Sequence, residues 1–452
     1  MQNEDFGAGK DWGRFPALRG PHRADAVVVG GGLTGITTAL WLCKAGLRVI
    51  LLEAETLASG ATSRCSGMLS LVDRCMLGKL EKQQGAHTAD RFLHAQMASF
   101  GAIRTMAEEA GDHFGWQDAD AEVIAHNQQS KLKREASVLR RAGVSADAAF
   151  SGSTPLPGNG VLLIHNMATL NPYLYFHYLV HSSLRLGLRI HEHTRVNMVE
   201  TDRVQTWQGV VRAPYIVVAT GYPIINIPGW YFLRLWQRRR SHVSLAGKTA
   251  FDGMLLDAKG RFGLCKWQDG MRLQLDGGMV GQQGKEDVAT VYARQYAAYF
   301  GGAEITGIKH GVETFSADGL PYIGAYSRKT PNLFVAAGYG GRGLLGSMTA
   351  ARLISARVLG LNEESAHVFS GQRNGGIVRG MEIASAAAMA GRYVFSKTHL
   401  FAPRCPHMGC KLTYSPENHL WECPCHGSRF DDIGHLLNAP SVEDVMIRRR
   451  RF

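Results

Sequence analysis

A chain of 452 residues is long enough for two or three domains and a large core. Its 45% hydrophobic and 19% charged residues are those of an ordinary globular protein, and no run approaches the roughly 18 apolar residues of a membrane span. The formal charge of +12 is spread out apart from Arg238–Arg240 and Arg448–Arg451, with no nucleic-acid-binding motif near either run, so it reads as solvated charge with room for an anionic substrate or an acidic electron-transfer partner.

The first residues, "MQNEDFGAGKDWGRF", lack the apolar core of a secretory signal, and a cytoplasmic location is the expectation. The stretch "ADAVVVGGGLTGITTALWLCKAGLRVILLEAE" then reads as strand, turn, helix, strand. Residues 26–29 are a short apolar β-branched run, as a buried parallel strand requires. Gly30, Gly32 and Gly35 form G-x-G-x-x-G: one glycine for the tight turn, one for close approach to a pyrophosphate, one for helix–strand packing. The helix N-terminus supplies N–H groups to phosphates. Glu53 closes the second strand about 20 residues on, where an acid accepts hydrogen bonds from ribose hydroxyls. These residues predict a dinucleotide and leave FAD and NAD open.

Further along, residues 92–110 carry apolar side chains at helical spacing (Phe92, Met97, Phe100, Ile103, Met106), which predicts a core-packing helix. Residues 225–310 contain alternating stretches such as "MRLQLDGG" (271–278), which predict an antiparallel sheet.

Several segments decide between the dinucleotides by resemblance. "SGATSRCSGML" (59–69), "NPYLYFHYL" (171–179), "RIHEHTRV" (189–196), "YIVVATGYP" (215–223), "SADGLPYIG" (316–324) and "NLFVAAGYGGRGLLGSMTAARLI" (332–354) resemble, in order, the FAD-dependent amino-acid and amine oxidoreductases of the D-amino-acid oxidase superfamily. The resemblance covers roughly residues 25–360. It implies an α/β fold: a Rossmann-like FAD-binding part at about 24–75, 160–222 and 311–360, and an antiparallel-sheet substrate part at about 76–159 and 223–310. By the same resemblance Gly30, Gly32, Gly35 and Glu53 bind the ADP half of FAD, and Thr62, Ser63 and Arg64 reach the pyrophosphate or the flavin edge. Val196 contacts the adenine side through its backbone and Gly221 lies near the dinucleotide. Gly340, Gly341, Gly343 and Leu344 bring backbone N–H groups to the flavin. Some relatives attach flavin through a His in the loop that follows the ribose acid; Arg64 stands there instead, which implies dissociable FAD. A carboxylate-bearing amine needs a cationic anchor. Arg240 and Arg342 are the candidates, with His242 and Tyr322 as further cavity residues.

The C-terminal stretch "CPHMGCKLTYSPENHLWECPCHGSRF" (405–430) holds Cys405-x-His407 and, after fifteen intervening residues (408–422), Cys423-x-x-His426. Two Cys and two His can bind zinc tetrahedrally. Zinc fingers usually pair Cys with Cys, however, whereas each half here offers one Cys and one His, as in mixed ligation of a [2Fe–2S] cluster. "CPHMGC" and "CPCHGSRFDDIGHLLNAP" resemble Rieske proteins. That resemblance implies cluster ligation by Cys405, His407, Cys423 and His426, a Cys410–Cys425 disulfide, and a Ser428 hydrogen bond to a bridging sulfide. Only about 40 residues separate Gly360 from Cys405, so the expectation is a small, trimmed all-β Rieske domain over 396–452, after a linker at 366–395.

This domain order resembles a bacterial family of FAD-dependent oxidoreductases with a C-terminal Rieske domain. The expected activity is oxidation of an amine or amino acid at its C–N bond, with electrons leaving through the [2Fe–2S] centre to an external one-electron acceptor. An O₂-using oxidase with a vestigial Rieske segment is a second reading. A redox sensor or binding protein without turnover is a third.

Overall fold

The computed structural model describes residues 12–111, 113–149, 156–226, 228–247, 252–267, 270–280, 288–373, 403–416 and 419–447. The expected linker-and-helix stretch at 374–395 and the basic run at 448–451 lie outside the described residues.

Ala26–Val29 and Val49–Leu52 pair in parallel, Ala26 opposite Val49 and Val29 opposite Leu52, and every residue of both strands is buried. Burial on both faces is why these runs are continuously apolar rather than alternating. They lie at the centre of a six-stranded sheet. Its order is Tyr322–Ser327, Thr330–Ala337, Tyr215–Val218, Ala26–Val29, Val49–Leu52 and Arg189–His191; all pairings are parallel except that of Tyr322–Ser327 with Thr330–Ala337. The helix Leu33–Lys44 follows the glycine turn and packs against Gly343–Val358.

Two glycines explain how tightly strand, turn and helix close. Gly30 has φ +109°, and a methyl group on it would lie 2.5 Å from the Ala219 carbonyl oxygen. A methyl group on Gly35 would lie 1.8 Å from the Gly30 carbonyl oxygen. Gly35→Ala should therefore push the helix off the strand and destabilise the fold by about 1–3 kcal/mol, as overpacking does. Thermal melting with and without added FAD reads this as a lower Tm in both states; an unchanged Tm would mean that the helix has slack the structure does not show.

A second, nine-stranded sheet contains the expected antiparallel array. Its long strand Leu235–Ala246 pairs antiparallel with Gly270–Met279 on one side and Glu304–Ser316 on the other. The strand Gly160–Thr169, expected in the FAD-binding part, instead pairs with Gln117–Ala125 in this sheet. The reason lies in its continuation: Asn171 accepts from Tyr173 N–H at 2.9 Å and Leu174 N–H at 3.3 Å and, with Pro172, starts a helix at once, so the chain crosses between sheets there rather than before residue 160. The helix Ala86–Glu109 buries Phe92, Ile103 and Met106, and its Ser99 hydroxyl meets Thr349 Oγ1 at 2.8 Å.

Residues 403–447 form a small unit. The strands Thr413–Ser415, Leu420–Glu422, Arg429–Phe430 and Leu436–Asn438 make an antiparallel sheet in chain order. Cys405, Cys410, Leu412, Cys423, Phe430 and Leu436 are buried in its core.

Candidate cofactor cavity and cysteine–histidine loops

A cavity of about 380 Å³ runs from the glycine turn to the start of Gly343–Val358. It is lined by Gly30, Gly32, Glu53, Thr62, Arg64, Val196, Gly221, Gly340, Gly341, Gly343 and Leu344. Of the dinucleotide residues expected from sequence, Gly35 and Ser63 do not line it. Gly35 lies under the turn, against Gly30, where its role is packing. Ser63 donates to the Gly60 carbonyl at 2.9 Å and borders a small side pocket together with Arg64.

The residues present fit a flavin dinucleotide. Gly30 lacks the side chain that would narrow the turn. Thr62 Oγ1 accepts from Leu33 N–H at 2.9 Å and braces the start of the first helix. Glu53 Oε2 accepts from Gly31 N–H at 2.6 Å and Oε1 from Glu55 N–H at 2.9 Å, which leaves one lone pair on each oxygen for ribose hydroxyls. Burial pushes this carboxyl above the usual carboxylate range, against the two backbone hydrogen bonds. At the other end, Gly340 and Gly341 have φ +60° and +100° and turn the chain into the helix Gly343–Val358. The first N–H groups of that helix have no intrahelical acceptor and lie where Gly343 and Leu344 line the cavity, a favourable place for negative charge.

Three of the four expected substrate residues line the cavity: Arg240, His242 and Arg342. Tyr322 does not. It is fully buried beneath the Arg373 guanidinium, 3.8 Å from its ring centroid, and Arg373 is held by Asp318 at 2.6 Å. The two arginine anchors line the cavity as expected, but each is also engaged by a carboxylate. Arg240 Nε donates to Glu313 Oε2 at 3.0 Å and Nη1 to the Gly260 carbonyl at 3.1 Å. Arg342 pairs with Asp73 at 3.1 Å and donates to the Gly319 carbonyl at 3.0 Å. Arg64, in contrast, makes no ion pair among the described residues. Burial and the nearby Arg429 push its pKa down to about 10, while Glu313 opposes the shift. His242 is pushed down to about 3 by burial and by Arg64, Arg240, Arg272 and His310, and is therefore a neutral imidazole. Sequence reasoning missed Glu313. A carboxylate inside an alternating strand gives no sign that it will meet Arg240, 73 residues away.

The cysteine–histidine loops fold alike. In Cys405–Cys410 the first N–H donates to the sixth carbonyl at 2.8 Å and Gly409 N–H donates to the first carbonyl at 2.8 Å. In Cys423–Ser428 the same two bonds measure 2.8 and 3.0 Å, with Gly427 in place of Gly409. Both glycines have positive φ, +74° and +87°. The loops bring the His407 and His426 rings to 5.0 Å between centroids, nearly perpendicular. Nδ1 of each ring is buried with no hydrogen-bond partner. Burial pushes both imidazoles down to about 4, so they are neutral. Two neutral, inward-facing imidazole nitrogens beside the buried Cys405 and Cys423 fit mixed ligation of a two-iron cluster. The sulfurs of Cys410, Cys423 and Cys425 all lie within 4.8 Å of one another, and Cys405 is in side-chain contact with Cys423. The Cys410 and Cys425 sulfurs lie within 4.8 Å of one another, and their pairing as a disulfide is a proposal.

This small unit sits against the cavity. Leu437, Asn438, Ala439, Ser441 and Val442 line it together with the dinucleotide residues. Gln237 Nε2 donates to the Ala439 carbonyl at 3.2 Å, and Asn438 Nδ2 donates to Gln237 Oε1 at 2.8 Å. Arg239 pairs with the buried Glu422. Tyr222 lines the cavity and lies close enough to Cys423 that burial, together with that thiol, pushes its hydroxyl above the usual phenol range.

Comparison with known proteins agrees with this geometry. Residues 25–357 match the family model for FAD dependent oxidoreductases, and residues 378–447 match that for the Rieske [2Fe-2S] domain. The second match begins inside the stretch expected to be a linker, in residues outside those described. YhfW of Bacillus subtilis (strain 168), whose name marks it as a Rieske 2Fe-2S iron-sulfur protein, is 24% identical over 95% of this chain and 94% of its own length. Glycine oxidase from Geobacillus kaustophilus superposes with a TM-score of 0.64 at 20% identity, covering 78% of this chain and 99% of that one. L-proline dehydrogenase from P. horikoshii gives 0.65 at 18% identity, covering 78% and 98%. At these identities the two structures show the fold alone.

Proposed function

The chain belongs to the FAD dependent oxidoreductase family and carries a Rieske [2Fe-2S] domain, and from that premise we propose that it is an amine or amino-acid dehydrogenase whose electrons leave through the iron–sulfur centre to an external one-electron acceptor. The two domains bind FAD and a [2Fe–2S] cluster. When bound, the flavin supplies acceptance of a hydride from the carbon next to nitrogen, and the cluster supplies one-electron carriage. The substrate nitrogen loses a proton, and the imine product is hydrolysed by water. The observation that carries this reading is the shared cavity: Leu437, Asn438, Ala439, Ser441 and Val442 of the Rieske unit form part of the same wall as the expected dinucleotide residues.

The chain's own residues have definable tasks. The N-terminus of Gly343–Val358 stabilises negative charge at the flavin end. Arg64, the cavity arginine without a carboxylate partner among the described residues, anchors a substrate carboxylate, and neutral His242 beside it can hydrogen-bond the substrate without adding a like charge. Arg240 and Arg342 hold Glu313 and Asp73 in place. No helix of the described residues is long and apolar enough to cross a membrane.

Anaerobic mixing with a panel of amines and amino acids tests the reading. At least one should bleach the flavin, and the reduced protein should then be reoxidised faster by a one-electron dye than by O₂. Faster reaction with O₂ would favour the oxidase; no bleaching by any member would favour a redox sensor. Arg64→Met should raise KM for a carboxylate-bearing substrate roughly 10-fold or more, as loss of a charged hydrogen bond worth about 1.5–3 kcal/mol implies. It should leave a simple amine nearly unaffected. Equal losses for both substrates would assign Arg64 to the cofactor instead.

A further inference from the structure

The edge of the Rieske unit that carries the two imidazoles faces the oxidoreductase domain. Asn226, in the loop after the strand Tyr215–Val218, has its Oδ1 2.6 Å from His407 Nε2. Phe232, in the turn Tyr231–Leu233, sets its ring edge-on to His407 at 6.3 Å and to His426 at 5.7 Å. Nδ1 of His407 is buried and faces no protein acceptor, so it is the nitrogen left for a metal. A neutral imidazole ligated there carries its proton on Nε2. The ring is then the donor and the Asn226 amide oxygen the acceptor; turning the amide round would set donor against donor.

We propose that Asn226 is a positioning residue through which the oxidoreductase domain acts on the iron–sulfur centre: by accepting the Nε2–H of His407 it makes that ligand more electron-donating and lowers the centre's reduction potential. An acceptor on the outer nitrogen of a metal-bound imidazole fixes the ring and raises its basicity. A more basic ligand stabilises the oxidised iron. Together with the Gln237 and Arg239 contacts, the same bond holds the imidazole edge of the Rieske unit against the oxidoreductase domain. The inference rests on the cluster being held by the Cys405 and Cys423 loops, not on the identity of the substrate.

Redox titration of the full chain, followed by EPR, tests it with two variants of opposite sign. Asn226→Ala removes the acceptor and should raise the midpoint potential. Asn226→Asp supplies a stronger acceptor and should lower it. Iron content and bound FAD should match the wild type, while the EPR g-values move in both variants. Unchanged potentials, or shifts of the same direction in both, overturn the role of Asn226. If the alanine variant fails to hold iron, the aspartate variant decides: a potential at or above that of the wild type overturns the proposal. A wild-type chain without a Rieske signal would instead overturn the ligand assignment, a separate failure seen before any variant is made.

Discussion

Replacing His426 with alanine should abolish the [2Fe–2S] centre and leave FAD bound. Nδ1 of His426 is buried, faces no protein partner and belongs to a neutral ring, which is the state a metal ligand requires. Alanine leaves three ligands and an open edge, and none of the surrounding apolar side chains can take the place of the nitrogen. Cys423→Ser should have the same outcome, because a hydroxyl is a poor substitute for a thiolate toward iron. FAD should stay, because Glu53, Thr62 and the glycine turns lie outside the Rieske unit. Iron and sulfide analysis, EPR after dithionite reduction, and the protein-to-flavin absorbance ratio read these outcomes together. The intact centre should titrate within the Rieske range of about −150 to +300 mV. Substrate should still reduce the flavin in the variant, while transfer to a one-electron acceptor slows. One zinc per wild-type chain, or a variant that reduces its acceptor at the full rate, would defeat the electron route proposed above.

The parts of this site legible in the sequence are those built from neighbours along the chain. The strand at 26–29, the turn at Gly30 and the acid at Glu53 lie within one βαβ unit, so spacing alone carries them. The loops at 405–410 and 423–428 are likewise local; each closes on its own backbone hydrogen bonds. What escaped depends on partners far away. Arg240 and Arg342 looked like free cations until Glu313 and Asp73 met them across 73 and 269 residues. Tyr322 belongs to a flavin-side motif, yet the half-buried Arg373 takes its ring face. Contact between the Rieske unit and the cavity rests on Gln237, Asn438 and Ala439, about 200 residues apart, and polar residues in strands and loops reveal nothing of such pairings. The misassigned strand Gly160–Thr169 has the same origin. Alternation identifies a strand but not the sheet it joins.

Glu53→Ala should weaken FAD binding by roughly 10- to 150-fold, the range that a charged hydrogen bond worth about 1.5–3 kcal/mol provides. The carboxylate has two tasks. It accepts Gly31 N–H and Glu55 N–H, which shapes the turn, and it offers one further lone pair on each oxygen to the ribose. Alanine removes both and leaves two N–H groups at the cavity edge without an acceptor. Glu53→Gln separates the tasks: its single amide oxygen can keep one backbone N–H, but its NH₂ faces the other donor, so affinity should fall to an intermediate value. The wild type should also show a pH dependence. Burial raises the Glu53 pKa above the ordinary 4.5. Ribose hydroxyls donate to the ionised form, so FAD affinity should be full above that raised value and decline as pH falls through it, earlier than an exposed carboxylate would allow. The alanine variant should lack this decline. Fluorescence titration of the apoprotein with FAD, across pH and for all three forms, measures it. An alanine variant with wild-type affinity, or one that retains the same acid-side loss, would remove Glu53 from the ribose and leave it only the bracing of the turn.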